Sequence, residues 1–222
     1  MEWEAHAERE EGRYADGLGR LPDEPDARQK QLVRIAMAAT GAGLVRLMQG
    51  RRAEAAGWLA RSAERFRESY ADAPPGSWGR LIGAVKARVL AGDQEGAETD
   101  ASWALEQGPA VAESPIGRYA AVLALLVLGR DDKAATTAGR LVQEPEESFP
   151  RPVAEALAAL AAGDGAAYED AVARVLESFE NRDEYLEGIP VADTVVVLQS
   201  LAEQRGIAAE LRSPLLPETD GG

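Results

Sequence analysis

Apolar residues recur at helical spacing along most of this chain. Leu32, Ile35, Ala36, Ala39, Leu44 and Leu47 fall on one stripe that stops at Gly50, the signature of an amphipathic helix. Residues 78–90, 114–128, Asp131–Val142 and 153–162 repeat that character. The segment 114–128 is apolar all round through Tyr119, Val122, Leu123, Leu125, Leu126, Val127 and Leu128, which places it inside a stack of helices. A last helix is expected over about 191–204. The β-branched run Val195-Val196-Val197 also suits a strand, but Thr194, Leu198 and Leu201 keep helical spacing.

A second pattern overlies the first. Gly50, Gly92 and Gly129 are each followed five residues later by alanine (Ala55, Ala97, Ala134), and Gly163 opens a looser copy with Tyr168 in the alanine position. The intervals are 42, 37 and 34 residues, lengths that suit helix-hairpin repeats. Each copy then continues with apolar residues at i, i+4, i+7 and i+8: Ala55, Leu59, Ser62, Ala63; Ala97, Ala101, Ala104, Leu105; Ala134, Ala138, Leu141, Val142; Tyr168, Val172, Val175, Leu176. Ser62 is the one polar exception. Four segments in one register predict stacked hairpins, so the expected fold is all-α, a right-handed stack of about four antiparallel helix hairpins, an α-solenoid.

Residues 1–25 break the pattern. They are polar and interrupted by Gly12, Gly17, Gly19, Pro22 and Pro25, so they are expected as a mobile arm with at most a frayed helix over about 2–14. Residues 26–217 then form the helical-repeat domain and 218–222 a disordered tail.

Composition narrows what such a stack does. Apolar residues make up 45% of the 222 but aromatics only 5%, so the core is built from Ala, Leu and Val. There is no cysteine and His6 is the only histidine. Thiolate chemistry is thereby excluded, and a zinc site or a histidine-dependent triad has no second partner. The formal net charge is −14, which disfavours a nucleic-acid backbone as partner. Of the 24 basic residues only Lys30, Lys86 and Lys133 are lysine, leaving 21 arginines. That balance suits a halophilic, high-salt cytoplasm, where acidic surfaces stay solvated; an ordinary acidic protein of a GC-rich genome is the alternative. The charged N-terminus is not expected to act as a signal peptide, and no apolar run approaches the ~20 residues of a membrane span. A cytoplasmic protein is expected.

Candidate chemistry is sparse. Residues 92–117 carry Asp93, Glu95, Glu98, Asp100, Glu106 and Glu113 and no basic residue. At about 100° per residue, Glu95, Ser102, Trp103 and Glu106 share the face opposite Ala97, Ala101 and Ala104, with Glu98 at its border. A tryptophan among carboxylates suits a protein partner with a basic surface; the alternative is that Trp103 packs on a neighbouring hairpin and the acids are only solvated. Glu144, Glu146 and Glu147, and Asp183, Glu184 and Glu187, lack the frame of a calcium loop or a catalytic pair and are expected to be solvated. Arg51, Arg52, Arg61, Arg65 and Arg67 interleave with Glu54, Glu64 and Glu68 at intrahelical pairing distance. No phosphate-loop motif, cofactor site or catalytic group is expected, and nothing in the sequence sets an oligomeric state.

Two resemblances add to this. Gly92, Ala97 and Pro109 match the spacing of generic tetratricopeptide repeats, although the aromatic positions of that consensus are poorly filled. The segments from Arg118 to Gly129 and from Pro152 to Asp164, the helix with Tyr168 and Phe179, and the tail from Arg205 to Pro217 resemble the immunity protein 49 family. That family consists of all-helical proteins thought to neutralise toxins of bacterial polymorphic systems. The resemblance covers roughly residues 75–217 and implies a non-catalytic protein that binds a toxin directly. An interaction scaffold without a toxin partner is the alternative.

Overall fold

A computed structural model describes residues 3–218 and contains, among them, ten α-helices and no strand. These are α1 (Trp3–Gly19), α2 (Pro25–Met48), α3 (Arg52–Tyr70), α4 (Trp78–Ala91), α5 (Gln94–Glu106), α6 (Pro115–Val127), α7 (Asp131–Val142), α8 (Arg151–Ala162), α9 (Gly165–Glu180) and α10 (Asp193–Glu203). From α1 to α9 each helix packs on the next, and α6 also touches both α4 and α8. Among the described residues no helix is long and apolar enough to cross a membrane.

The glycine–alanine spacing has a direct structural meaning. Gly50, Gly92, Gly129 and Gly163 all have φ between 63° and 71°, the left-handed conformation that closes a helix without a Cβ penalty. Five residues later the chain is in the first turn of the following helix, and its side chain is sealed inside: Ala55, Ala97, Ala134 and Tyr168 are all buried. The polar exception is satisfied, since Ser62 and Thr40 exchange a hydrogen bond of 2.7 Å across the α2–α3 contact. In α6 the eight consecutive residues from 120 to 127 are all buried, so this helix is surrounded, as its composition predicts. The valine run 195–197 is helical within α10.

The N-terminal region differs from the mobile arm expected there. Residues 3–19 form a helix packed along α2, with Ala7 and Glu10 fully buried. The glycine that looks like a breaker is a point of close approach: a Cβ on Gly17 would stand 2.6 Å from Ile35 Cγ1. Polar residues dock the helix. The buried Arg46 guanidinium of α2 donates to Glu4 at 3.0 Å and Glu11 at 2.7 Å, and Tyr14 sets its ring edge-on to Trp58 of α3 at 5.3 Å. Such contacts leave little trace in an apolar periodicity. Of the tail expected at 218–222, residues 219–222 lie outside the described residues.

The C-terminal part returns along the molecule. α10 packs on α4, α8 and α9, and the segment after it doubles back so that the Ala192 N–H donates to the Leu215 carbonyl at 2.9 Å. The loop between α9 and α10 reaches α1, where Arg9 donates to the Glu187 carbonyl at 2.7 Å and Arg13 pairs with the Glu187 carboxylate.

Candidate functional site

The acidic segment is α5 with the turns around it. Asp93 caps the helix, accepting from the Gly96 N–H at 2.9 Å, and a Cβ on Gly96 would stand 2.2 Å from the Asp93 carboxylate. Glycine is therefore what lets this cap form.

The six carboxylates of the segment do not act alike. Asp93 and Asp100 turn inward: Arg88 of α4 reaches Asp93 at 2.9 Å and Asp100 at 3.1 Å, and Arg67 of α3 reaches Asp100 at 2.7 Å. Asp100 is only 1% exposed, so it serves as the buried pin of α3, α4 and α5. Glu95, Glu98 and Glu106 point outward and are exposed. Glu98 accepts from Gln94 at 2.8 Å, and none of the three makes a salt bridge among the described residues.

Trp103 is half-buried. Its ring meets Tyr70 of α3 edge-on at 5.4 Å and has the Arg67 guanidinium 4.8 Å from its centre. The cation–π partner of this tryptophan is thus internal, and the ring supports the α3–α5 contact from the flank of the acidic face. The structure therefore brings Glu95, Glu98 and Glu106 to one open face and sets Trp103 at its edge. Periodicity missed the inward acids, although a signal existed: Asp100 lies four residues before Ala104, about 40° from that buried position around the helix.

Two clefts flank α10. The larger, about 680 Å³, runs from Asp93, Gln94 and Ala97 of the acidic segment to Val196, Glu203 and Leu211. The smaller, about 460 Å³, opens between α2, α4 and the α9–α10 loop. On its wall Lys86 donates to Asp193 at 2.5 Å and to the Thr194 hydroxyl at 3.2 Å. Burial opposes the Lys86 charge, and the carboxylate of Asp193, with Tyr119, more than restores it, so the ammonium keeps its proton above the usual lysine range. Burial likewise raises the Tyr119 phenol.

The other candidate carboxylates are mostly structural or solvated. Glu144 pairs with Arg118 and Glu187 with Arg13, while Asp183 and Glu184 are exposed. Among the described residues no group of three or more His, Asp or Glu is placed to hold a metal ion. The basic stretch pairs locally, Arg51 just before α3 with Glu54 at 2.7 Å and Arg65 with Glu68 within the helix. Arg61 lies over Trp58 instead, 4.5 Å from the ring centre, and Arg67 leaves the helix for Asp100. His6 is half-buried beside Trp3.

Comparison with protein-family models, with curated proteins and with solved structures finds no match to this chain.

Proposed function

We propose that this chain is a non-catalytic protein-binding module of the immunity type, which neutralises a toxin in the cytoplasm by covering it directly. In this reading α2 to α9 form a tetratricopeptide-like stack of hairpins with α10 laid against its inner helices, and the outer face of α5 meets the partner. One observation supports it above the others: Glu95, Glu98 and Glu106 stand together, exposed, and no cation of the described chain neutralises them. The same segment draws its remaining aspartates into salt bridges, so cations were within reach of this helix and the outer three were left to solvent. Exposed charges of one sign steer a partner of the opposite sign and give salt-sensitive association.

A second reading is an interaction scaffold of a halophilic cell, favoured by the scarcity of lysine and the net charge of −14. A pull-down at native ionic strength, analysed by mass spectrometry, separates the two. The immunity reading expects a toxin captured by the wild-type chain, released by added salt and lost from the Glu95→Gln/Glu98→Gln/Glu106→Gln variant. Capture of other proteins without a toxin supports the scaffold. A toxin held equally well by the variant removes the α5 face from the account.

A further inference from the structure

The smaller cleft has features that stacking does not require. Its walls are mostly apolar, formed by Val33 and Met37 of α2, Phe66 of α3, Ile82 and Leu90 of α4, and Leu186 of the α9–α10 loop. Its volume, about 460 Å³, lies in the range of small-molecule sites. Glycines shape the wall on α4. A Cβ on Gly83 would stand 2.6 Å from the Phe66 ring, so the ring packs close against this glycine, and Gly79 has open space where its side chain would be.

Three charged groups stand on these walls. Lys86 and Asp193 neutralise each other. Arg80 has no such partner: its two hydrogen bonds go to neutral oxygens, the Ser69 carbonyl and the Gln29 side-chain amide, and it makes no salt bridge among the described residues. A guanidinium carries five N–H donors, and among the described residues no carboxylate offsets its charge. Burial presses the Arg80 pKa below its ordinary value, the sign of a cation that lacks a counter-charge. The cleft therefore carries one net positive charge within a chain of net charge −14.

The rim is held under strain. Leu186 is 46% exposed at the mouth of the cleft. The next residue, Glu187, has φ of 53° and is the only non-glycine residue with positive φ among those described. Arg9 and Arg13 of α1 fix it there. A strained residue persists where its surroundings over-determine it, and such residues cluster at ligand clamps.

We propose that this cleft binds a small amphipathic monocarboxylate, its carboxylate at Arg80 and its apolar body against Met37, Phe66, Ile82 and Leu186. An alkyl body covers apolar wall that is otherwise wet, and the carboxylate supplies the charge Arg80 lacks. An alkyl amine of equal length meets a like charge instead.

Octanoate and octylamine are the probes, titrated into the full chain labelled at its methionine methyl groups and followed by NMR. Met37 lines this cleft, and Met48 lies outside both clefts. Octanoate is expected to shift the Met37 methyl saturably and leave Met48 in place, and octylamine to shift neither. Arg80→Gln should weaken octanoate binding about tenfold, the loss of one charged hydrogen-bonding partner. Gly79→Leu fills open space on a helix and should abolish binding with the circular dichroism unchanged. No Met37 shift with octanoate, equal affinity for acid and amine, or unaltered binding in Gly79→Leu would each overturn the proposal. The wild-type comparison of acid and amine stands even if a variant fails to fold, and no outcome depends on the protein partner proposed for α5.

Discussion

The two sides of α5 use the same side-chain chemistry for opposite ends. On the inner side Asp100 is sealed beneath Arg67 and Arg88 and joins three helices; on the outer side Glu95, Glu98 and Glu106 are exposed and make no salt bridge among the described residues. The arrangement on α1 is similar, where Glu10 is fully buried between Arg9 and Arg13 while Glu8 is exposed. An acidic composition is therefore no single property. Its buried members are structural, costly to remove because their arginines lose the counter-charge. Its exposed members contribute little to folding and are free to serve recognition.

The largest effect that tests this division is Asp100→Ala. It leaves Arg67 without its carboxylate and Arg88 with Asp93 alone, and should cost about 2–3 kcal/mol of stability, read as a lower urea midpoint with an unchanged slope. A loss within about 0.5 kcal/mol would put Asp100 with the surface acids. Next comes Glu10→Ala, expected to cost about 1–2 kcal/mol because Arg9 and Arg13 are half exposed and rehydrate in part. Its loss should appear first as faster amide exchange in α1, and protection that falls evenly across all helices would contradict local docking.

The buried cation of the smaller cleft gives a pH test. Lys86 holds its proton above the ordinary lysine pKa of about 10.4, so the folded chain binds more protons than the unfolded one between that value and the raised one. Stability is intact below this window and falls as pH rises through it. The raised pKa values of Tyr119 and Tyr168 act in the same direction. Thermal midpoints followed from about pH 9 to about pH 12 should decline, and less steeply in Lys86→Met; equal slopes would mean that the Lys86–Asp193 pair is not intact in solution. The smallest effect belongs to Glu95→Gln/Glu98→Gln/Glu106→Gln, whose stability should lie within about 0.5 kcal/mol of wild type.

The helices were legible where local chemistry sets their ends. The segment expected at 131–142 coincides with α7, because the left-handed Gly129 and the buried Ala134 fix where it starts. Of the N-terminal helix only a frayed stretch over about 2–14 was legible: its docking uses Ala7, the missing Cβ of Gly17 and arginine–glutamate pairs to α2, and these mean little without the facing surface. The outer face of α5 could be read from periodicity, since period alone tells which residues share a side. The partners of Asp100 could not, because Arg67 and Arg88 come from other helices. For the same reason the clefts beside α10 left no local signal, being formed where distant segments meet.

The most direct measurement takes the partner captured at native ionic strength and titrates it into the wild-type chain and into Glu95→Gln/Glu98→Gln/Glu106→Gln at two salt concentrations. The variant, folded as stably as wild type, should bind at least about tenfold more weakly, and its affinity should respond less to salt. Equal affinity and equal salt dependence in the two proteins would contradict the assignment of the outer α5 face to recognition.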